Sequence, residues 1–187
     1  MVTGPLNPMM VSQTPSRARV FTCHPDAEQA SGAHGTVDPI APGEERACAE
    51  SIVRRIATEA YRRPVTDEDL SGPISFYDSG VADEGFEVGV RTALQAILAS
   101  PSFLFRLEEL PADVEPGMSY RLSDTDLAAR LAFFLWGTGP DRELIDVAAS
   151  GGLSDDRVLE AQVRRMLGDP RSEALSTRFA SQWLRLQ

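Results

Sequence analysis

The sequence predicts an all-α fold of seven to eight helices, in two packed helical subdomains, with a mostly irregular N-terminal segment. Three observations support this fold class. Apolar residues recur at helical spacing in several stretches, most clearly from Phe86 to Ser100. Helix-start signals such as Ser123 with Asp126, and stop signals such as Pro64, bound these stretches. Strand-like character is confined to one run, residues 19–23.

The composition limits the classes of partner and chemistry. The chain has 187 residues and a formal net charge of −10, and its 18 basic residues are all arginine. The acidic balance argues against nucleic acid as a partner, because a phosphate surface repels it. Without lysine, Schiff-base chemistry and a P-loop lysine are excluded. No apolar run is long enough for a membrane span, and no signal peptide is visible.

Residues 1–43 are predicted to be an irregular segment, either the end of a preceding domain or a strap lying over the helices. Proline, glycine, serine and threonine are scattered through it, and residues 26–43 have little apolar content. This composition is typical of a loop. Its only run with strand character is Arg19–Cys23.

The first helical domain is predicted over residues 44–110. Its first long helix begins near Glu44 and stops at Pro64. The clearest helix follows later, and Ser100 with Pro101 predicts a short helix after it. The apolar face of the clearest helix comprises Phe86, Val90, Ala93, Leu94, Ile97 and Leu98.

A further helix of this domain is predicted to start at a capping box of Thr66 and Asp69. Gly72-Pro73 falls inside it, where proline removes a hydrogen bond and collides with the preceding turn. The sequence therefore predicts either a kink or a new start at Pro73. Gly80 is predicted to end the helix.

A linker is predicted over residues 111–119 and a second helical domain over 120–187. Ser123 caps the first helix of that domain, whose buried face is predicted to comprise Leu127, Leu131, Phe134 and Leu135, widened by Phe133 and Trp136. Ser154 is predicted to cap a later helix with five inward residues, Val158, Leu159, Val163, Met166 and Leu167. Asp169-Pro170 starts the last helix, on which Phe179 and Trp183 continue the apolar face.

The residues that most catalytic sites need are scarce. A serine or cysteine triad needs a histidine beside the nucleophile, and His24 and His34 both lie in the irregular segment. Acidic clusters lie at predicted helix starts, where capping and the helix dipole account for them, and a glycosidase-like carboxylate pair has no further support. We therefore assign no catalytic, cofactor-binding or metal-binding residue.

Two groups of residues leave a binding alternative open. The run Tyr61-Arg62-Arg63-Pro64 fits a helix C-terminus whose arginines bond nearby carboxylates or carbonyls, and the alternative is an anion site. Trp136 and Trp183 each continue an apolar helical face, which favours the core, and the alternative is a carbohydrate platform.

Cys23 and Cys48 are the only cysteines. In an exported protein they are expected to form a disulfide, whereas in a cytosolic protein free buried thiols are expected. A metal site of both cysteines with His24 and His34 is a third alternative, although adjacent Cys and His cannot easily serve one tetrahedral ion. Cys23-His24 also matches the end of a c-type haem motif, but Val20 stands where the upstream cysteine is needed.

Two stretches resemble helical domains of unknown function that occur side by side in large planctomycete-type proteins. Residues 48–66, 85–87 and 100–106 resemble the domain numbered 1595. The second stretch resembles the domain numbered 1592, through residues 120–136, 140–141, 153–154, 162–167 and 179–184. Residues 4–7, 14–17 and 20–23 resemble the segment that precedes the first domain in such proteins.

The resemblance implies export to the periplasm or the extracellular space, and a c-type cytochrome domain elsewhere in many such polypeptides. It implies roles in electron transfer or the breakdown of complex substrates, with no catalytic residues to carry over. The chain departs from the usual pattern at Gly72-Pro73, where an uninterrupted helix is expected, and in a longer loop between Cys23 and Cys48. Since the haem motif and the downstream helical portion are absent, we interpret the chain as a fragment whose second domain is truncated.

The combined interpretation is a scaffold or docking unit beside a c-type haem domain, with other domains of the same polypeptide as partners and no cofactor in this segment. The segment alone is not expected to be an enzyme. One alternative is part of an oxidative or hydrolytic enzyme completed by other segments, which predicts that Asp124, Asp126 and Arg130 line a cleft. A further alternative is an extracellular module for acidic or carbohydrate ligands, which predicts exposed Trp or Tyr rings.

Overall fold

A computed structural model of the chain describes residues 14–25, 31–32, 35–36, 38–39, 41, 43–106, 108, 114–115 and 117–185. Within these ranges the all-α prediction is confirmed. The described part contains nine α-helices, against seven to eight predicted: α1 Pro15–Val20, α2 Glu45–Tyr61, α3 Asp67–Glu84, α4 Phe86–Ala99, α5 Pro101–Leu104, α6 Asp124–Leu135, α7 Arg142–Ala149, α8 Asp156–Gly168 and α9 Glu173–Trp183. Short 3-10 turns at Gly152–Ser154 and Pro170–Ser172 precede α8 and α9. None of the described helices combines the length and the apolar character needed to cross a membrane.

The described strands are two residues long and form two small pairs. Strand β1, Cys23–His24, pairs in parallel with β4, Asp38–Pro39. Strand β2, Ser31–Gly32, pairs antiparallel with β3, Gly35–Thr36. They add little to a fold that its helices dominate.

Helix α1 is absent from the sequence-based prediction. The Thr14 hydroxyl oxygen accepts a hydrogen bond from the Arg17 backbone N–H at 3.2 Å, and Pro15 occupies the first turn. Threonine followed by proline is an ordinary helix start, because a first-turn residue needs no intrahelical donor. The strand prediction for Arg19–Cys23 is therefore wrong for Arg19 and Val20, and β1 begins only at Cys23.

The chain divides into two compact units, one of residues 1–56 and 71–94 and one of residues 57–70 and 95–187. In the first unit, an aromatic cluster forms around Phe86. Its ring centroid lies 5.3 Å from that of His24, 6.1 Å from that of Tyr77 and 6.2 Å from that of Phe21. The cluster ties the start of α4 to α3 and to the N-terminal segment.

Helix α3 runs through Gly72 and Pro73 without a break, so the predicted new start at Pro73 is wrong. Gly72 lacks the Cβ that would collide with the proline ring, which makes helical backbone before Pro73 less costly. The predicted end at Gly80 is also wrong, since α3 ends at Glu84 and Gly85, with a φ of 92°, follows it. Gly80 instead lies at a close approach to α4.

The second unit is built around the inner side of α6. The buried residues of this helix are Ala128, Ala132 and Leu135, and Trp136 continues them. Phe134 is 65% exposed, so its predicted place in the core is wrong. The alanine stripe faces inward because small side chains allow neighbouring elements to approach, and the cluster around it includes Leu144, Ala148, Leu153 and Met166.

Several other predicted positions on the later helices are corrected. Asp155, and not Ser154, caps α8, because its carboxylate accepts from the backbone N–H groups of Arg157 and Val158. Trp136 is 3% exposed, as expected for the core, but Trp183 is 72% exposed. Leu167 and Phe179, and Leu98 on the earlier helix α4, were also predicted to face inward, and all three are about half exposed or more.

Candidate functional site

An arginine-lined cleft of about 590 Å³ lies within the second unit. It is formed by the end of α2, the segment after α5 and the first turns of α6. Four arginines line it against two carboxylates, so the cleft is cationic in a chain whose net charge is −10. The lining comprises Tyr61, Arg62, Arg63, Ser102, Phe105, Arg106, Glu108, Thr125, Asp126, Ala129 and Arg130.

Arg62 holds the wall of the cleft together through carbonyl oxygens. Its backbone is left-handed, with a φ of 62° just after α2, which turns the chain out of the helix. Its guanidinium donates to four carbonyl oxygens, those of Ala60 at 3.0 Å, Ser102 at 2.6 Å, Phe103 at 3.3 Å and Phe105 at 2.9 Å. None of these acceptors carries a full negative charge. Burial, and then the charge of Arg106, lower the pKa of the Arg62 guanidinium.

Arg63 has a structural role at the start of α3. Its guanidinium donates bidentately to the Asp69 carboxylate at 2.8 and 2.7 Å. Asp69 also accepts from the Thr66 backbone N–H at 2.8 Å, and the Thr66 hydroxyl oxygen accepts from the Asp69 backbone N–H at 3.2 Å. The predicted capping box is therefore confirmed. Hydrogen bonding from Arg63 holds the pKa of Asp69 well below its usual range.

The enzyme alternative required Asp124, Asp126 and Arg130 to line a cleft, and two of the three do. Arg130 donates to both Glu108 oxygens, at 2.6 and 2.5 Å. The Asp126 carboxylate accepts from the Ser123 hydroxyl at 2.7 Å, and Ser123 caps α6 as predicted, since its hydroxyl oxygen accepts from the Asp126 backbone N–H at 3.1 Å.

Asp124 lies outside the cleft lining. It accepts from the Ser154 backbone N–H at 3.0 Å and from the Ser154 hydroxyl at 2.9 Å. All three side chains of the enzyme alternative are thus held in structural contacts, and this geometry does not present a free acid and base.

Arg106 differs from the other arginines of the cleft. Its guanidinium carbon lies 4.4 Å from the Phe133 ring centroid, a cation–π contact. Within the described ranges it makes no hydrogen bond and no ion pair. Sequence reasoning identified the run around Arg62 but did not single out Arg106, because no local pattern links a residue after a short helix to a cleft formed by α2 and α6.

An open apolar depression of about 500 Å³ shares Arg106 and Arg130 with the cleft. Its apolar lining comes from a flank of α6 beside the alanine stripe, where Leu127 and Leu131 also pack against the core and Phe134 is 65% exposed. The apolar residues that line it are Leu127, Leu131, Phe133 and Phe134. On α9, Phe179 and Trp183 stack with their centroids 6.0 Å apart, and both are exposed.

In the first unit, a disulfide joins Cys23 in β1 to Cys48 in α2, with Cα atoms 6.0 Å apart. His24 is 2% exposed, and its Nε2 lies 3.0 Å from a carboxylate oxygen of Glu87. Arg17 donates to the same carboxylate, and this hydrogen bond is the main reason that the pKa of Glu87 is lowered. His24 lowers that pKa further, whereas burial acts in the opposite direction. This buried cluster anchors the N-terminal segment on α4.

The disulfide bears on two chemistries raised by the sequence. Because the Cys23 sulfur is bound to Cys48, it offers no thiolate to a metal ion and no thiol for a thioether bond to haem. Cys23-His24 therefore fits neither a metal ion nor a haem. His34 lies outside the described residues. Among the residues that are described, no group of three or more His, Cys, Asp or Glu side chains is placed to hold a metal ion.

The cleft draws its lining from two stretches of sequence, and each stretch matches a protein-family model. Residues 48–108 match PSD5: Protein of unknown function (DUF1595). Residues 122–187 match PSD4: Protein of unknown function (DUF1592). The predicted resemblance to these two adjacent domains is confirmed. No curated protein and no solved structure matches the chain. Arg62 and Arg106 come from the PSD5 match, whereas Asp126 and Arg130 come from the PSD4 match.

Proposed function

We propose that the chain is a helical scaffold and docking module of a larger exported protein, placed beside a c-type haem domain of the same polypeptide. Its role is to hold other domains in place during electron transfer or the breakdown of a complex substrate. The module supplies a surface, and the chemistry belongs to its partner domains. The match to two adjacent family models supports a multidomain arrangement.

The observation that carries this proposal is the apolar depression along the flank of α6. An exposed apolar patch rimmed by polar residues is typical of an interaction site. Leu127 and Leu131 are half-buried there and Phe134 is 65% exposed, with Arg106 and Arg130 at the edge. An apolar centre with a charged rim is the usual composition of a protein interface. The depression is open, which suits a folded domain better than an enclosed small molecule.

The disulfide supports the exported location. Disulfides form and persist in oxidising compartments and are rare in the reducing cytosol. The Cys23–Cys48 bond joins the N-terminal segment to a helix whose Cys48 is itself 6% exposed. A periplasmic or extracellular site is consistent with this bond.

Two measurements test the docking role. Sequencing the DNA that flanks this reading frame is expected to show an export signal and a Cys-x-x-Cys-His motif in the same frame. Hydrogen exchange is then compared between the complete encoded protein and the 187-residue chain alone. The surface around residues 127–134 is expected to exchange more slowly in the complete protein. A frame with neither signal nor motif, or equal exchange in both proteins, would refute the proposal.

A second candidate function, an extracellular carbohydrate-binding module, is favoured by the exposed Phe179–Trp183 pair. Stacked, accessible aromatic rings offer an apolar face to a sugar ring. Trp136 is buried and cannot serve this role. Affinity electrophoresis in gels that contain soluble polysaccharides would show retardation of the native chain and its loss in W183A. Equal mobility of both proteins in every gel would exclude this function.

A further inference from the structure

The arginine cleft has four guanidinium groups and two carboxylates in its lining, so positive charge is in excess there. Glu108 is engaged by Arg130, and Asp126 is held at the start of α6 by Ser123. Within the part of the chain that the structure describes, the Arg62 guanidinium donates to carbonyl oxygens alone. Arg62 and Arg106 therefore line the same cleft, and among the described residues neither guanidinium is paired with a carboxylate, although the charge of Arg106 also acts on Glu108.

These two guanidinium groups act on each other. The charge of Arg106 contributes, after burial, to the lowered pKa of Arg62. A bound anion would be attracted by both groups and would relieve their repulsion. The repulsion between the two guanidinium groups is therefore larger in an empty cleft than in a cleft that holds an anion.

The cleft also has hydrogen-bond donors available. A guanidinium has five N–H donors, and stacking of its face on Phe133 leaves the edge of Arg106 free. Tyr61 is 7% exposed and lines the same cleft. Its hydroxyl has no hydrogen-bond partner in the described part of the chain. Donors of this kind, without acceptors, suit a ligand that supplies oxygen atoms.

We propose that this cleft binds the carboxylate group of a small organic acid, with Arg106 as its bidentate donor, Arg62 as a supporting charge and Tyr61 as a further donor. The planar fork of arginine matches the two oxygens of a carboxylate. This binding site goes beyond the docking role and does not depend on it.

Two features of the lining limit the chemical class of the ligand. The Glu108 and Asp126 carboxylates disfavour a doubly charged anion such as phosphate, and so favour a single carboxylate. The Phe105 ring is 58% exposed in the same lining and offers an apolar surface to a ring-shaped body. The volume of about 590 Å³ lies in the range of small-molecule sites. An aromatic acid or a sugar acid fits this description.

The test is a titration of the 187-residue chain, followed by amide NMR shifts at constant ionic strength, with sodium benzoate and sodium glucuronate as probes. Saturable shifts are expected around residues 102–106 and 126–130. R106Q is expected to weaken binding by about tenfold or more, because a charged bidentate contact is lost. Y61F is expected to weaken it less, with the fold retained.

The matched control is R164Q, since Arg164 is exposed and pairs with Glu160 on α8, away from the cleft lining. This variant should bind both probes as the native chain does. Linear shifts without saturation, or an equal loss in R164Q, would reduce the effect to general ionic attraction and overturn the site. Sodium sulfate and sodium phosphate are titrated in the same way, as inorganic anions. Tighter binding of either one than of both benzoate and glucuronate would overturn the assignment of a carboxylate ligand.

Discussion

Gly80 on α3 and Gly89 on α4 lie at a crossing where the two backbones leave no room for a side chain. A Cβ added to Gly80 would lie 2.9 Å from the Gly89 Cα and 2.9 Å from the Val88 carbonyl oxygen. The Thr92 hydroxyl donates to the Phe76 carbonyl oxygen at 2.8 Å across the same crossing. The added Cβ would also meet the Thr92 hydroxyl oxygen, but the Gly89 and Val88 atoms belong to the main chain, which cannot move aside as a flexible side chain can.

We expect G80A to destabilise the chain by about 1–3 kcal/mol, since overpacking forces backbone shifts. Urea unfolding followed by circular dichroism measures the change. The control is G168A, because Gly168 is also helical and a Cβ there meets no atom within 4 Å. G168A should leave the free energy of unfolding unchanged or raise it by up to about 1 kcal/mol. A G80A variant as stable as the native chain would contradict this account of the crossing.

Reduction of the Cys23–Cys48 disulfide is expected to lower the free energy of unfolding by about 3 kcal/mol, because the bond restricts the unfolded chain. The two cysteines are separated by 25 residues. Unfolding curves with and without reductant give the difference, and the C23S/C48S double variant should show no effect of reductant. Two reactive thiols in protein purified under oxidising conditions would count against the bond.

The Asp69 carboxylate is expected to make stability fall in acid. Hydrogen bonding from Arg63 lowers its pKa in the folded state, whereas the unfolded value is about 3.9. Its contribution is therefore complete above the unfolded pKa and is lost as the pH falls through the folded pKa. D69N should cost about 1 kcal/mol at pH 7. The gap between variant and native chain should narrow progressively below about pH 4.

D83N is the control for this pH dependence, because Asp83 is exposed near the other end of α3. It should change stability by less than about 0.5 kcal/mol. Thermal unfolding between pH 2.5 and 7 checks both variants. A D69N deficit of the same size at every pH would show that ionisation of Asp69 has no part in the effect.

The two tryptophans are expected to behave oppositely. The Trp136 indole N–H donates to the Met166 carbonyl oxygen at 2.8 Å, and the Arg171 guanidinium carbon lies 3.5 Å from a ring centroid of Trp136. W136F should destabilise by about 1–3 kcal/mol, since a buried carbonyl loses its donor. W183F should change stability by less than about 0.5 kcal/mol, because its ring is largely in solvent.

Tryptophan fluorescence distinguishes the same two rings. In W183F the remaining Trp136 should emit at shorter wavelength and resist quenching by acrylamide. In W136F the remaining Trp183 should be quenched readily. Ready quenching of Trp136 in the folded protein would contradict its place in the core.

Helix starts were predictable from the sequence because they depend on neighbours a few residues away. The capping box of Thr66 and Asp69 is present, and Ser123 and Ser100 cap α6 and α5 as predicted. Burial was less predictable. Apolar spacing placed Phe134 in the core, yet the adjacent alanines face inward and Phe134 faces solvent. Spacing alone does not show which of two neighbouring stripes the rest of the chain covers.

The sequence by itself determined the helical class, most helix starts and the two family matches, because each follows from contiguous residues. Only the tertiary structure brought Arg62, Arg106 and Arg130 to one cleft, since these residues lie on segments far apart in the chain. It also decided that Gly80 is a crossing point and not a helix end. Both outcomes depend on packing between separate helices, and packing depends on the whole set of neighbours at once.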